Sequence, residues 1–321
     1  MFLPFLLLLV GFAILIKGAD LLVNGASSAA KKFNVSNLAI GLTVVAFGTS
    51  TPELIVSLYS AIEGQNDASF GNVIGSNNFN LLFILGISGL IYPLTIQRNT
   101  VRYEVPMSLL AALVLYILVN DELQGTGTTN VLSRLDAFIL LMCFSLFMLY
   151  IYWTMNKTGD FEDQPIKTYS TPVAAGMVVL GLAMLIGGGT LVVDNAVTIA
   201  EYYGLSQKLI GLTILAAGTS LPELATSAVA AYRKNTDIAI GNVIGSNIFN
   251  IFFILGITGL VHPIQYNPAM NFDLEVLGAS TILLMVFMFT INVRKLDRWE
   301  AFLMLVGYIV YTVYLVTHDS I

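Results

Sequence analysis

Residues 41–90 and 211–260 are two copies of one segment, aligned without a gap at an offset of 170 and identical at 29 of 50 positions. Gly71-Asn72-Val73-Ile74-Gly75-Ser76-Asn77 returns letter for letter as Gly241-Asn242-Val243-Ile244-Gly245-Ser246-Asn247. The same offset reaches back more weakly, pairing Gly11 with Gly181, Leu15 with Leu185 and Ser36 with Ser206. Self-similarity on this scale predicts two copies of one structural unit packed against each other.

The solvent around those units follows from composition. The chain is 56% apolar and only 11% charged, with a mean hydropathy of +0.82, whereas a soluble domain is roughly 45–50% apolar and about 25% charged. That balance excludes a cytosolic globular enzyme, a disordered chain and a nucleic-acid binder, and the net charge of −6 excludes the last a second time. The single Cys143 reads as a small core residue and rules out a disulfide framework or a cysteine-rich metal cage. His262 and His318 lie far apart and give no zinc or heme signature. An all-α polytopic membrane protein remains.

Ten runs are long and apolar enough to span, near 2–24, 38–59, 70–92, 103–119 and 134–153, then 172–198, 208–231, 238–261, 273–291 and 299–317. The first lacks the cationic start of a signal peptide and is read as a span that stays in place. The organisation expected is a first repeat over 1–153, a cytoplasmic linker over 154–170 carrying Asp160, Glu162 and Asp163, and a second repeat over 171–321. Five spans is an odd number, so the second copy must cross in the opposite sense, an inverted repeat of the kind found in secondary transporters. Eleven of the fourteen Lys and Arg residues fall on the side away from the termini: Lys31, Lys32, Arg98, Arg102, Lys157, Lys167, Arg233, Lys234, Arg294, Lys295 and Arg298. Arg134 and Lys208 face the other way. Positive charge stays in the cytoplasm, so both termini are expected outside a cell (inner) membrane.

In each copy a glutamate follows a proline in mid-span: Gly48-Thr49-Ser50-Thr51-Pro52-Glu53 and Gly218-Thr219-Ser220-Leu221-Pro222-Glu223. Proline removes a backbone donor and clashes with the preceding turn, so each span is expected to break there. Freed carbonyls survive at membrane depth only where they line a cavity or bind something, and a carboxylate there marks a functional site. The two glutamates are expected to meet near the midplane, where carboxylates, hydroxyls and carbonyls form a hard-oxygen cluster suited to calcium or sodium. The following spans add Asn72, Ser76, Asn77 and Asn80, matched by Asn242, Ser246, Asn247 and Asn250. Ser76, Asn80 and Asn72 share one helix face, as do their counterparts. Their amides serve either as ligands or as interhelical hydrogen-bonders, with Asn72 and Asn242 as braces behind the site. Glycines 71, 75, 86, 241, 245 and 256 are expected to permit close helix contact. Asp67 and Asp237 are read as helix N-caps or as cation-attracting vestibule groups, Ser36 and Ser206 as caps, Lys17 and Asp20 as a pair, and Asp121, Glu122, Asp273 and Glu275 as solvated span ends.

These segments resemble the alpha repeats of the cation/calcium exchanger superfamily, and most closely its prokaryotic sodium/calcium exchanger branch. The G-T-S-x-P-E and G-N-x-I-G-S-N motifs carry the resemblance over about 41–90 and 211–260, and the rest matches by layout. The resemblance implies a calcium/sodium antiporter, not an enzyme, exchanging about three sodium ions per calcium by sliding its first and sixth spans across a fixed bundle. The implied ion ligands are Thr49, Ser50, Glu53, Ser76 and Asn80 with the carbonyl of Ala46, and Thr219, Ser220, Glu223, Ser246 and Asn250 with the carbonyl of Ala216. Calcium and sodium enter as cargo, with no resident cofactor and no protein partner; a monomer is implied. The position of Asn250 is often an aspartate in sodium/calcium exchangers, and the potassium-dependent relatives also favour an acid there; here both halves carry asparagine.

Two ionised glutamates are neutralised by one calcium or two sodium ions, so overlapping sites cannot hold both cargoes together. An empty site leaves two like charges in low dielectric, which opposes crossing of the empty carrier and makes exchange obligatory. A calcium/proton antiporter of the same superfamily is the nearest alternative. An intramembrane hydrolase built on the glutamate pair would need a nucleophile or a metal-binding histidine set, and a channel would need a continuous pore, usually among several subunits.

Overall fold

The computed structural model describes residues 2–121, 125, 129–154, 167–204, 216–290 and 292–318. The chain opens with α1 (Phe2–Phe33), then α2 (Asn37–Thr49) and α3 (Thr51–Ile62), which meet at a 46° bend. Next come α4 (Asn66–Ile91), α5 (Thr100–Val119) and α6 (Arg134–Thr154). The second half contains α7 (Thr171–Tyr202), a turn of helix at Ala216–Gly218, α8 (Leu221–Tyr232), α9 (Thr236–Val261), α10 (Pro268–Phe287) and α11 (Arg298–His318). Among the described residues eight helices are long and apolar enough to cross a membrane, or nine when the bent α2–α3 pair is one span. The run expected near 208–231 is described only from Ala216, and Ser206, Lys208, Glu122 and most of the 154–170 linker lie outside the described residues.

Two helices run well past their expected ends. α1 reaches Phe33 and α7 reaches Tyr202, each 32 residues and therefore about 48 Å long, more than the bilayer core of about 30 Å. Hydropathy marks only the lipid-facing part. Beyond it, α1 continues through Asn24, Ser27 and Ser28, whose polar groups find partners in the other half: Tyr169 N–H donates to Ser28 Oγ, and Asn235 Nδ2 donates to Ser27 Oγ at 2.9 Å.

α1 and α7 are repeat mates, and they pack antiparallel along a seam of small residues. A Cβ on Gly11 would meet Val192 and Gly188, one on Gly18 would meet Met184 and Gly181, and one on Gly25 would meet Ala174 and Met177. Glycine lets the backbones touch where lipid supplies no hydrophobic drive for association. α4 and α9 form the centre, with 72% and 94% of their apolar stretches buried against 33% for α1.

Short strands and side chains tie the halves together at their edges. Leu94–Thr95 pairs antiparallel with Lys295–Leu296, and Val131–Leu132 pairs with Ile264–Gln265. Ser36 caps α2 as expected, accepting from Ala39 N–H. Asp67 and Asp237 are not caps. Gln65 and Asn235 hold those positions, because the helices begin at Asn66 and Thr236, ahead of the apolar runs expected from 70 and 238. The two acids lie in the first turn, where the helix dipole favours them, and each accepts from an amide of the other half: Asp67 from Asn267 and Asp237 from Gln97. Asp20 does approach Lys17 at 4.0 Å. Its principal partner is Arg233, beyond the end of α8, which also donates to Asn24 Oδ1.

The seam makes a clean prediction. A Cβ on Gly181 would lie 2.7 Å from Leu22 N and 2.8 Å from Gly18 O, both backbone atoms. Gly181→Ala is expected to lower stability by about 1–3 kcal/mol, read as a lower melting temperature of the purified protein. Gly176→Ala, on the exposed side of α7, is expected to leave it unchanged or slightly raised. Equal melting of the two variants would refute the seam.

Candidate functional site

The site is built where the α2–α3 break meets its copy before α8. Ser50 and Ser220 adopt the same near-bridge geometry, φ −82°, ψ 9° and φ −89°, ψ 7°. Each is followed by a proline in the first turn of a 12-residue helix. Pro52 has no N–H to offer the carbonyl of Gly48, and Pro222 none for Gly218. Glu53 and Glu223 fall in the first turns of α3 and α8, where free backbone N–H groups and the helix dipole favour negative charge. α7 passes both breaks: Leu182 lies against Gly48, and Val193 against Gly218.

The glutamates are wholly buried, within electrostatic range of each other, and laced together by serines of the opposite half. Ser50 Oγ donates to Glu223 Oε1 at 2.9 Å, and Ser220 Oγ donates to Glu53 Oε1 at 3.0 Å. The bracing contacts have counterparts 170 positions away. Asn72 Nδ2 donates to the carbonyl of Glu53 and to Ser57 Oγ; Asn242 Nδ2 donates to the carbonyl of Glu223 and to Ser227 Oγ. Thr49 Oγ1 donates to Asn242 Oδ1 at 3.0 Å, and Thr219 Oγ1 donates to Asn72 Oδ1 at 3.2 Å. Asn72 and Asn242 are thus the braces expected of them. Ser57 and Ser227 complete the brace; both are conserved between the two copies, so the repeat itself carried the signal for them.

Five buried oxygens of this cluster have no hydrogen-bond partner among the described residues: Glu53 Oε2, Glu223 Oε2, Asn80 Oδ1, Asn250 Oδ1 and Ser76 Oγ. Buried polar atoms are nearly always paired, so these five oxygens are left free to accept a donor or to coordinate. Ser246 Oγ lies 3.4 Å from Glu223 Oε1, at the long limit of a hydrogen bond. Asn80 and Asn250 each sit in a π-helical stretch, Phe79–Ile84 and Phe249–Leu255, a distortion frequent at functional sites. The carbonyl of Ala46 is engaged by Ser50 N–H at 2.9 Å and by Thr49 Oγ1, so as a ligand it would have to share a lone pair with one of these donors. Ala216 opens the described part of its span. Among the described residues no group of three or more His, Cys, Asp or Glu is poised to hold a metal; the acidic side chains at this site are the two glutamates.

A cavity of about 770 Å³ reaches Asn72 and Thr219 and is walled by Pro52, Pro222, Asp194 and Asp273. The counterpart pair, Asn242 and Thr49, is completely buried. Gly241 and Gly245 pack closely on α2 as expected, and Gly86 and Gly256 on α11 and α6. Gly71 and Gly75 do not: they line the cavity, with no described atom in contact range of a Cβ placed there. Asp273 is not a simple solvated end, since it accepts from Tyr311 and holds Asn78 through its carbonyl. Glu104 was not singled out by the repeat, whose second copy has Leu274 there; it is buried in α5 and accepts from Tyr150 at 2.5 Å.

Residues 3–153 and 173–317 match the family described as sodium/calcium exchanger protein. Putative antiporter CaxA of Alkalimonas amylolytica is 38% identical over 94% of this chain and 95% of its own. Inner membrane protein YrbG of Escherichia coli strain K12 is 38% identical over 82% of this chain and 81% of its own. In three dimensions the chain is similar to the sodium-calcium exchanger NCX_Mj, with a TM-score of 0.81 at 34% identity over 98% of both chains. The chain belongs to the sodium/calcium exchanger protein family, and it is a membrane-embedded cation/calcium antiporter rather than an enzyme.

Proposed function

We propose that the chain exchanges sodium for calcium, about three Na⁺ for each Ca²⁺, by presenting one cradle alternately to the two sides of the membrane. The observation that carries this reading is the set of five unpartnered, buried oxygens around two serine-laced glutamates. Hard oxygen donors with a charge of −2 suit one calcium or two sodium ions. A third sodium would leave the site near +1, held by hydroxyl and amide dipoles. The ligand set of the reading is Thr49, Ser50, Glu53, Ser76 and Asn80 with Thr219, Ser220, Glu223, Ser246 and Asn250, supplemented by the carbonyls of Ala46 and Ala216.

The reading includes ten spans in two inverted five-span repeats, with both termini outside and a cytoplasmic 154–170 linker. Three observations support it. The repeat mates α1 and α7 run antiparallel. The strand pairs join connections that a ten-span layout puts on the same side. The cavity opens toward the end of α7 that carries Asp194, opposite the lysine- and arginine-rich connections. In this layout the structure is open to the outside, and the Asp20–Arg233 pair closes the inside.

Sodium coupling is tested with purified protein in proteoliposomes. An outward sodium gradient is expected to drive saturable calcium-45 uptake, and a pH gradient without sodium is not. Uptake driven by protons alone would overturn sodium coupling in favour of calcium/proton exchange. Glu53→Gln and Glu223→Gln are each expected to lower sodium-driven uptake at least about a hundredfold while the protein still folds; retained exchange in either would remove the carboxylate from the ligand set. Asn250→Asp adds a third carboxylate and is expected to change the sodium-to-calcium preference and the pH dependence of uptake. Unchanged behaviour would move Asn250 to a structural role.

A further inference from the structure

We propose that Asn77 and Asn247 are positioning residues that lock the amides of Asn250 and Asn80 with oxygen, not nitrogen, turned to the cation. The inference rests on the cation-site reading above. An asparagine amide has two ends of similar size and opposite polarity, an accepting oxygen and a donating NH₂. Turned one way it coordinates a cation; turned the other way it repels one. A site that uses asparagine where a carboxylate would be insensitive to rotation needs something to set the rotation.

The structure supplies it from main-chain anchors. Asn77 Nδ2 donates to the backbone carbonyl of Asn247 at 3.2 Å, and Asn247 Nδ2 donates to that of Asn77 at 3.2 Å. A carbonyl oxygen can only accept, so the amide end facing it is nitrogen and the other end is oxygen. That oxygen of Asn77 receives Asn250 Nδ2 at 2.9 Å, and that of Asn247 receives Asn80 Nδ2 at 3.0 Å. The nitrogen ends of Asn250 and Asn80 are thereby anchored, and the ends left without partners are Oδ1. All four side chains are at most 1% exposed, so water does not compete for these bonds. The four amides form a linked set between α4 and α9, and each half fixes the ligand of the other.

The test is a double-mutant comparison on the full-length protein. Calcium KM and maximal rate of sodium-driven uptake are measured in proteoliposomes, and melting with and without calcium in detergent. Asn77→Leu removes the acceptor, and Asn77→Ser carries a hydroxyl too short to reach Asn250. Both are expected to raise calcium KM about tenfold or more and to shrink the calcium-induced rise in melting temperature. In the Asn250→Asp background the same substitutions are expected to change KM by less than about threefold, because a carboxylate shows oxygen at both ends. The mirror set is Asn247→Leu and Asn247→Ser with Asn80→Asp. An unchanged KM in the single variants, or an equal penalty in both backgrounds, would overturn the inference and leave only a packing role. A variant without a melting transition in the absence of calcium is replaced by its serine form and its mirror. Failure of the cation-site reading is seen separately, as exchange that survives Glu53→Gln and Glu223→Gln.

Discussion

Two carboxyl groups held together inside an apolar bundle set the terms for everything around them. Glu53 and Glu223 are fully buried, and among the described residues helix N-termini and hydroxyl donors face them. The serines that reach them come from the opposite half, so neither half completes the site alone. Behind the carboxylates stand side-chain amides whose nitrogens are turned to protein acceptors. What remains facing inward is oxygen. This division of labour leaves attraction for a cation and nothing that would hold an anion.

Much of this could be read from the letters, and for a definite reason. A break needs proline, a buried charge in lipid needs a partner, and repetition doubles the weight of both observations. Glu53, Glu223 and the amide rows follow from those rules. What the letters hid is of two kinds. Partners across the halves, such as Thr49 with Asn242 or Asp67 with Asn267, depend on how the copies dock, which no spacing within one copy reveals. Features outside the repeat, such as Glu104 with Tyr150 and Asp273 with Tyr311, have no second instance to draw attention to them. Helix ends were misplaced where small polar residues continue a helix whose hydropathy has already fallen, as along Asn24, Ser27 and Ser28 of α1.

Asn72 and Thr219 face a cavity, while Asn242 and Thr49 make the same bond in full burial. Because the bond is the same, each glutamate is braced alike in both halves. The glycine seam joins α1 to α7 without interlocking side chains, which makes the pair one unit in contact with both breaks.

If one site is presented alternately to the two sides, as proposed above, the ion pair between Asp20 and Arg233 gives the two poses unequal energies. The residue 170 positions before Arg233 is Glu63, and the one 170 after Asp20 is Thr190, so a mirrored pose would set a carboxylate where the guanidinium stands and forfeit the clasp. An exposed pair of this kind contributes about 0.5–1 kcal/mol, a two- to fivefold tilt in occupancy. Such a machine is handed: the same pair of glutamates, offered to two compartments, greets ions from one of them more often.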